Sequence, residues 1–126
     1  MKNERKFCIC AHCGNIVSFL VKTGPGLLCC GKPMENLVPN TTDAAQEKHV
    51  PIAVRQGNKL VVTIGSAPHP MTDDHHIAWI VVADGARTQR LALTATQQPS
   101  AEFFVGNDPV TVYEYCNQHG LWAVEA

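Results

Sequence analysis

The sequence predicts a mainly β protein in two parts, a small metal-stapled module followed by an antiparallel β-sandwich of immunoglobulin-like type. Three observations carry this reading. Five of the six cysteines fall in residues 1–37, interspersed with Gly14, Gly24, Gly26 and Gly31. Beyond residue 48 the chain breaks into short β-prone segments separated by turn residues. Between the two lies a polar stretch, residues 38–48, that suits a linker with one short helix.

Composition narrows the class. A chain of 126 residues buries one modest core, with an added module too short to be held by apolar burial alone. The hydrophobic fraction is 45%, and no apolar run approaches the roughly 20 residues that cross a bilayer. Met1-Lys2-Asn3-Glu4-Arg5-Lys6 leads into no apolar stretch, so no secretory signal is read there and a cytoplasmic location is expected. In a reducing compartment six cysteines point to metal ligation rather than to disulfides. A net charge of −1 without a Lys/Arg cluster argues against nucleic acid or a membrane surface as the main partner.

In the first part, Cys10-Ala11-His12-Cys13-Gly14 has the C-x-x-C spacing that lets two thiolates from one tight turn reach a single ion. Cys29-Cys30 closes the other side, and four sulfurs favour zinc or iron over harder cations. Neighbouring side chains on extended backbone point in opposite directions, so adjacent cysteines predict a distorted tetrahedron. Cys8 is left over; it is either an unligated thiol or a substitute for Cys10 in a C-x4-C arrangement, of which the tighter spacing is geometrically preferable. His12 reads as an exposed loop residue.

In the linker, Asp43 is placed to cap a single helical turn, with Glu47 facing the next element. Strands are expected over 50–55, 59–64, 77–83, 87–93, 101–105 and 110–115. Gly57-Asn58, Asp84-Gly85 and Asn107-Asp108-Pro109 mark turns between them. Thr111, Tyr113 and Tyr115 alternate with Val110, Val112 and Glu114, as in a strand with differently solvated faces.

The C-terminal run Cys116-Asn117-Gln118-His119-Gly120 sets a thiol and an imidazole three residues apart, a chelating pair. His49 precedes Val50-Pro51, His69 lies between Pro68 and Pro70, and His75 borders a strand. Proline fixes its own φ and restrains the residue before it, so loops at one end of a sandwich can hold these imidazoles together. One mononuclear site with nitrogen and sulfur ligands is expected. Trp79 and Trp122 read as core or pocket walls rather than redox relays.

Taken in order, Glu47-Lys48-His49-Val50-Pro51, His69-Pro70-Met71, His75 with Trp79, and Cys116-Asn117-Gln118-His119-Gly120 resemble the two-iron (class I) superoxide reductases, the desulfoferrodoxin family. Cys10, Cys13, Cys29 and Cys30 resemble the ligands of that family's desulforedoxin-like domain, and the likeness spans essentially the whole chain. The resemblance implies an FeCys4 domain over 1–37 and a superoxide reductase domain over 49–126. In the latter, His49, His69, His75 and His119 would lie in the plane of an iron with Cys116 axial and the sixth position open. Glu47 would occupy that position in the ferric state, and Lys48 would lie over it. The implied reaction is one-electron reduction of superoxide to hydrogen peroxide with uptake of two protons, without release of dioxygen. The electron would come from an external donor, rubredoxin or a similar small protein, and a homodimer is implied.

Two positions depart from the family pattern. Cys8 is extra, and His76 stands where Tyr is common, so His75 and His76 compete as ligand; the spacing from His69 and the position of Trp79 favour His75. A different class of reading is a non-catalytic electron-transfer or iron-carrying protein with both centres saturated. The Glu47-Lys48 pair beside His49 separates the two, since a carrier has no use for a cation over a vacant position. Structural zinc at the four-cysteine site is the third reading. Cys8→Ser is expected to keep the metal of the first site and Cys10→Ser to lose it, measured as metal per chain; the reverse pattern would establish the C-x4-C register.

Overall fold

The computed structural model describes residues 3–126 and divides into two compact units, Arg5–Val38 and Pro39–Ala126, with Asn3 and Glu4 grouped with the second. Met1 and Lys2, which the expected first module includes, lie outside the described residues. No described helix is long and apolar enough to cross a membrane.

The first unit is built from pieces of two or three residues. Strands β1 (Phe7–Ile9), β2 (Ile16–Ser18) and β5 (Glu35–Leu37) form an antiparallel sheet in the order β2-β1-β5. A second ribbon pairs β3 (Leu28–Cys29) with β4 (Lys32–Pro33) around the turn Cys30-Gly31. Its buried apolar side chains, among the described residues, are Phe7, Cys8 and Cys10, while Leu20, Val21 and Leu28 stand in solvent. Burying one such side chain contributes about 1.5–3 kcal/mol, and ordering one residue costs about 1–2 kcal/mol. A 34-residue unit with so little buried apolar surface needs a staple.

The second unit is a sandwich. Its helical turn, α1 (Gln46–His49), leads into β6 (Pro51–Gln56), β7 (Lys59–Ile64), β8 (Ile77–Asp84), β9 (Arg87–Ala92), β10 (Ser100–Phe104), β11 (Thr111–Cys116) and β12 (Gly120–Glu125). One sheet has the order β10-β7-β6 and the other β12-β11-β8-β9, all pairs antiparallel. Leu60, Val62 and Ile64 of β7 meet Ile80 and Val82 of β8 and Val112 and Cys116 of β11 in one core between the sheets. The alternation that the sequence carries in β7 is the cause: Leu60, Val62 and Ile64 are buried, while Lys59, Val61 and Thr63 are more exposed.

Three expectations need correction. Asp43 does not cap the helical turn, because the residue ahead of it is Ala45, in extended conformation and without a side-chain cap. The Ala45 carbonyl instead accepts from Lys48 N–H at 3.2 Å and contacts His49 Nδ1 at 2.7 Å. Strand β11 does not have differently solvated faces: it lies between β8 and β12, with Val112 and Glu114 fully buried on one side and Tyr113 buried on the other. Finally, the last run is a strand as well as a chelate, since Gly120–Glu125 pairs along the whole of β11.

The end of the sandwich is closed by a polar cluster. Asp84 accepts from the Gly106 backbone N–H at 3.1 Å and from Arg87 at 2.7 Å, and Arg55 donates to the Gly106 and Asp108 carbonyls at 2.7 and 2.6 Å. The Gly106 N–H, followed by Arg87, holds the Asp84 carboxyl below its ordinary range. A depressed folded-state pKa stabilises above the ordinary carboxyl pKa and loses that contribution as pH falls through the folded value. Asp84→Asn is therefore expected to cost about 1–2 kcal/mol at pH 7 in urea unfolding, with the difference from wild type shrinking as the pH approaches 3.

Candidate metal centres

The four-cysteine cluster forms where two tight turns face each other. In the first, the Cys10 carbonyl accepts from Gly14 N–H at 2.9 Å, and Cys13 N–H approaches the Cys10 sulfur at 3.4 Å. In the second, Cys29 ends a strand and Cys30 has φ of 52°. That left-handed conformation, uncommon for a residue with a side chain, turns Cys30 away from the alternation of extended backbone. The adjacent pair therefore serves one site: the sulfurs of Cys10, Cys13, Cys29 and Cys30 all lie within 4.8 Å of one another. Cys13 and Cys29 are 3.6 Å apart, close to the edge of about 3.8 Å for a tetrahedron with metal–sulfur bonds near 2.3 Å. Cys8 stands outside, its thiol on the Asn36 side-chain oxygen at 3.3 Å.

Charge sharing in this cluster points to a central cation. The Cys13 N–H lowers the Cys10 thiol to about 6. Contact with Cys13 and Cys10 pushes Cys30 up to about 12, and contact with Cys10 and Cys13 also raises Cys29. A thiolate among them thus disfavours ionisation of Cys29 and Cys30, and a positive ion at the centre would offset that repulsion.

The second cluster sits at one end of the sandwich. His49 ends the helical turn, His69 and His75 lie in the loop between β7 and β8, and Cys116 and His119 flank the turn between β11 and β12. The rings form a closed square: His49–His69, His69–His75, His75–His119 and His119–His49 have centroids 4.7 to 4.9 Å apart and meet at 72° to 82°. His49 Nε2 is 3.2 Å from His69 Nε2 and 3.2 Å from His119 Nδ1. A square of that edge has its centre about 2.3 Å from each corner, near the nitrogen–metal bond lengths of first-row ions. Cys116 Sγ lies 3.9 Å from His119 Nδ1, and the donor atoms of His49, His75, Cys116 and His119 are mutually within 4.8 Å. His69 falls outside that mutual set of four and joins through His49 and His75.

Outer hydrogen bonds aim the rings. His49 Nδ1 contacts the Ala45 carbonyl and His69 Nδ1 the Pro70 carbonyl, each at 2.7 Å. A carbonyl can only accept, so each Nδ1 carries the proton and each Nε2 lone pair faces the centre. The buried His75 Nε2 has no hydrogen-bond partner. Burial lowers His69 to about 4 and also lowers His49 and His75, which keeps these imidazoles neutral and able to ligate. Inward-facing lone pairs around a common point fit a cation and nothing else the chain supplies.

Neighbouring residues fix the ligand loops. Asp74 O accepts from Asn117 Nδ2 at 3.0 Å and Gln118 Nε2 at 2.7 Å, and Asn117 Oδ1 accepts from His76 N–H at 2.9 Å. These bonds tie the His75 loop to the Cys116–His119 turn. His76 contacts the Thr72 carbonyl through Nδ1 at 3.0 Å, so His75 is the histidine that joins the square. Pairing slips by one residue between Tyr115 and Cys116, a bulge that re-aims the strand end. Gly120 has φ of 81°, and a Cβ there would lie 2.9 Å from Thr42 Oγ1, so glycine is needed to close the turn after His119.

The two tryptophans have separate places. Trp122 stacks on His49 at 5.0 Å and donates Nε1–H to the His119 carbonyl at 3.1 Å, walling the square from inside. Trp79 stacks on Tyr115 on the opposite face of the sheet. Glu114, read from the sequence only as part of an alternating strand, lies opposite Trp122 and two residues before Cys116. It is fully buried, neither carboxyl oxygen has a partner, and burial pushes it up to about 9, so it is neutral at pH 7. The period-two pattern Val112, Glu114, Cys116 is the signal that places it on the ligand face. A hollow of about 500 Å³ between Thr63–Met71 and Thr96–Ser100 reaches His69 from the side. It has no ionisable lining besides that imidazole and offers an anion no charge.

The desulfoferrodoxin family model matches residues 41–125. Over 127 residues, the whole of both chains, the sequence is 45% identical to a desulfoferrodoxin of Nitratidesulfovibrio vulgaris. It is 48% identical to a desulfoferrodoxin homolog of Archaeoglobus fulgidus over 114 residues, 90% of each chain. The crystal structure of the superoxide reductase from Treponema pallidum aligns with a TM-score of 0.77 at 30% identity, covering 96% of this chain and 98% of that one. With agreement along the full length, and with a four-cysteine and a four-histidine, one-cysteine cluster that match the two iron centres of desulfoferrodoxin, the chain belongs to the desulfoferrodoxin family.

Proposed function

We propose that this protein is a superoxide reductase, reducing superoxide by one electron to hydrogen peroxide at the four-histidine, one-cysteine centre. The observation that carries the reading is the square of imidazoles over a fully buried Cys116, with the Glu47-Lys48 turn beside it. His49, His69, His75, His119 and Cys116 would hold iron there, and Cys10, Cys13, Cys29 and Cys30 a second iron, or zinc. Iron held there would supply the electron, and the Cys116 sulfur would raise its electron density.

The chain's own part is attraction, shielding and orientation. The charge of Lys48 is felt at the square, where it contributes to keeping His49 and His75 unprotonated. The same positive charge draws in a small anion. At roughly 7 Å it contributes about 0.6 kcal/mol in bulk water and about 2.4 kcal/mol at an effective dielectric near 20. That corresponds to at most tens-fold in encounter rate, so Lys48 assists and the centre does the chemistry. Glu47, the neighbouring residue, would occupy the open position in the ferric state. The stack of Trp122 on His49 keeps solvent from the inner side. The neutral Glu114 adds no negative charge behind Cys116 that would oppose an incoming anion. An external small redox protein of the rubredoxin type is proposed to return the electron, and the protein is proposed to act as a cytoplasmic homodimer. The domain assignment follows the same reading, with residues 1–37 as the FeCys4 module, 38–48 as the linker and 49–126 as the reductase.

Anaerobic mixing of the reduced, iron-loaded protein with superoxide is expected to give hydrogen peroxide without dioxygen, at one reducing equivalent per superoxide. Dioxygen at half the superoxide consumed would mark a dismutase, and no accelerated loss of superoxide would mark an electron carrier. Lys48→Ala is expected to slow the encounter by several-fold to tens-fold at low ionic strength and to flatten its salt dependence, with the metal content unchanged. An unchanged low-salt rate would remove Lys48 from the steering role.

A further inference from the structure

Gly65 directly follows strand β7, and its backbone is pressed against the turn that carries Glu47 and Lys48. A Cβ built on it would lie 2.7 Å from the Glu47 carbonyl oxygen and 2.8 Å from both the carbonyl carbon and oxygen of Lys48. These are main-chain atoms, so no side-chain rotation relieves the overlap. Around this contact three donors converge. Gly65 N–H donates to the Val50 carbonyl at 3.1 Å, Ala67 N–H to the Glu47 carbonyl at 2.9 Å, and the Ser66 hydroxyl to the same oxygen at 3.4 Å. The segment that grips the charged turn then runs directly into the ligand His69.

We propose that Gly65 is a positioning residue: its lack of a side chain lets the Glu47–Lys48 peptide dock on the end of β7, and this docking sets where the two charged side chains stand relative to the imidazole square. The inference rests on the reductase reading for its consequence and on backbone geometry alone for its cause. A side chain at residue 65 lifts the turn, moves the Lys48 charge from its place beside the square, and leaves the His75, Cys116 and His119 ligands on their own loops.

Gly57 supplies the control. It has φ of 65° against 78° for Gly65, so alanine is strained at both, but a Cβ at residue 57 meets nothing within 4 Å. The test compares Gly65→Ala with Gly57→Ala in metal-loaded full-length protein, by amide hydrogen exchange at Ala67 and by the ionic-strength dependence of the superoxide rate. Gly65→Ala is expected to speed Ala67 exchange at least tenfold, to lower the low-salt rate several-fold and to flatten its salt dependence, while Gly57→Ala does none of these. Wild-type exchange and salt dependence in Gly65→Ala would overturn the proposal, as would equal changes in the two variants or faster exchange with an unaltered rate. If Gly65→Ala does not fold, an Ala67 amide in the wild-type protein that exchanges as fast as an exposed one overturns it equally. Should the wild-type protein leave superoxide untouched, the reductase reading falls, and the Ala67 exchange comparison still decides whether Gly65 docks the turn.

Discussion

Four imidazoles and a buried sulfur converge on one point, and a positive charge there satisfies their nitrogens and sulfur together. Nearly every local feature of the second unit follows from that convergence. The Ala45 and Pro70 carbonyls take the outward-facing protons of His49 and His69, and the bonds from Asn117 and Gln118 to Asp74 lash two ligand loops together. The sandwich contributes stiffness: the ligands come from three separated segments, and a core of branched aliphatic side chains keeps those segments in register.

The polarity of the site is arranged in layers. Behind the square the protein is dry and uncharged, with Trp122 against His49 and an un-ionised Glu114 beyond Cys116. At the edge of the square lies the turn with one carboxylate and one ammonium. With no ionised carboxylate behind Cys116, the Lys48 charge at the edge is not opposed from within, which suits the anionic substrate proposed above. The four-cysteine unit solves a different problem, since its ion supplies the cohesion that apolar burial does not.

Much of this was legible in the residues. C-x-x-C with a later cysteine pair, and histidines set among prolines, mark both ligand sets because ligand type and spacing are local properties of the chain. The strands of the sandwich follow from period-two alternation in segments such as Leu60 to Ile64. What the sequence hid depends on conformation at a distance. The left-handed φ of Cys30 overrides the alternation that made an adjacent cysteine pair look awkward. Asp43 looks like a cap until the Ala45 carbonyl is seen engaged by Lys48 and His49. The burial of Glu114 results from sheet order, which places β11 centrally between β8 and β12, and Gly65 looks like any turn glycine until its neighbours across the fold are known.

The scant core of the first unit has a biological corollary. With Leu20, Val21 and Leu28 in solvent and three buried apolar side chains among the described residues, its folded state depends on mass action from the cell's metal pool. A newly made chain in a metal-poor cell would carry an unfolded, protease-sensitive segment ahead of an ordered sandwich. The lifetime of the protein would then report on metal supply, and copies that never loaded their metal would be the first to be cleared.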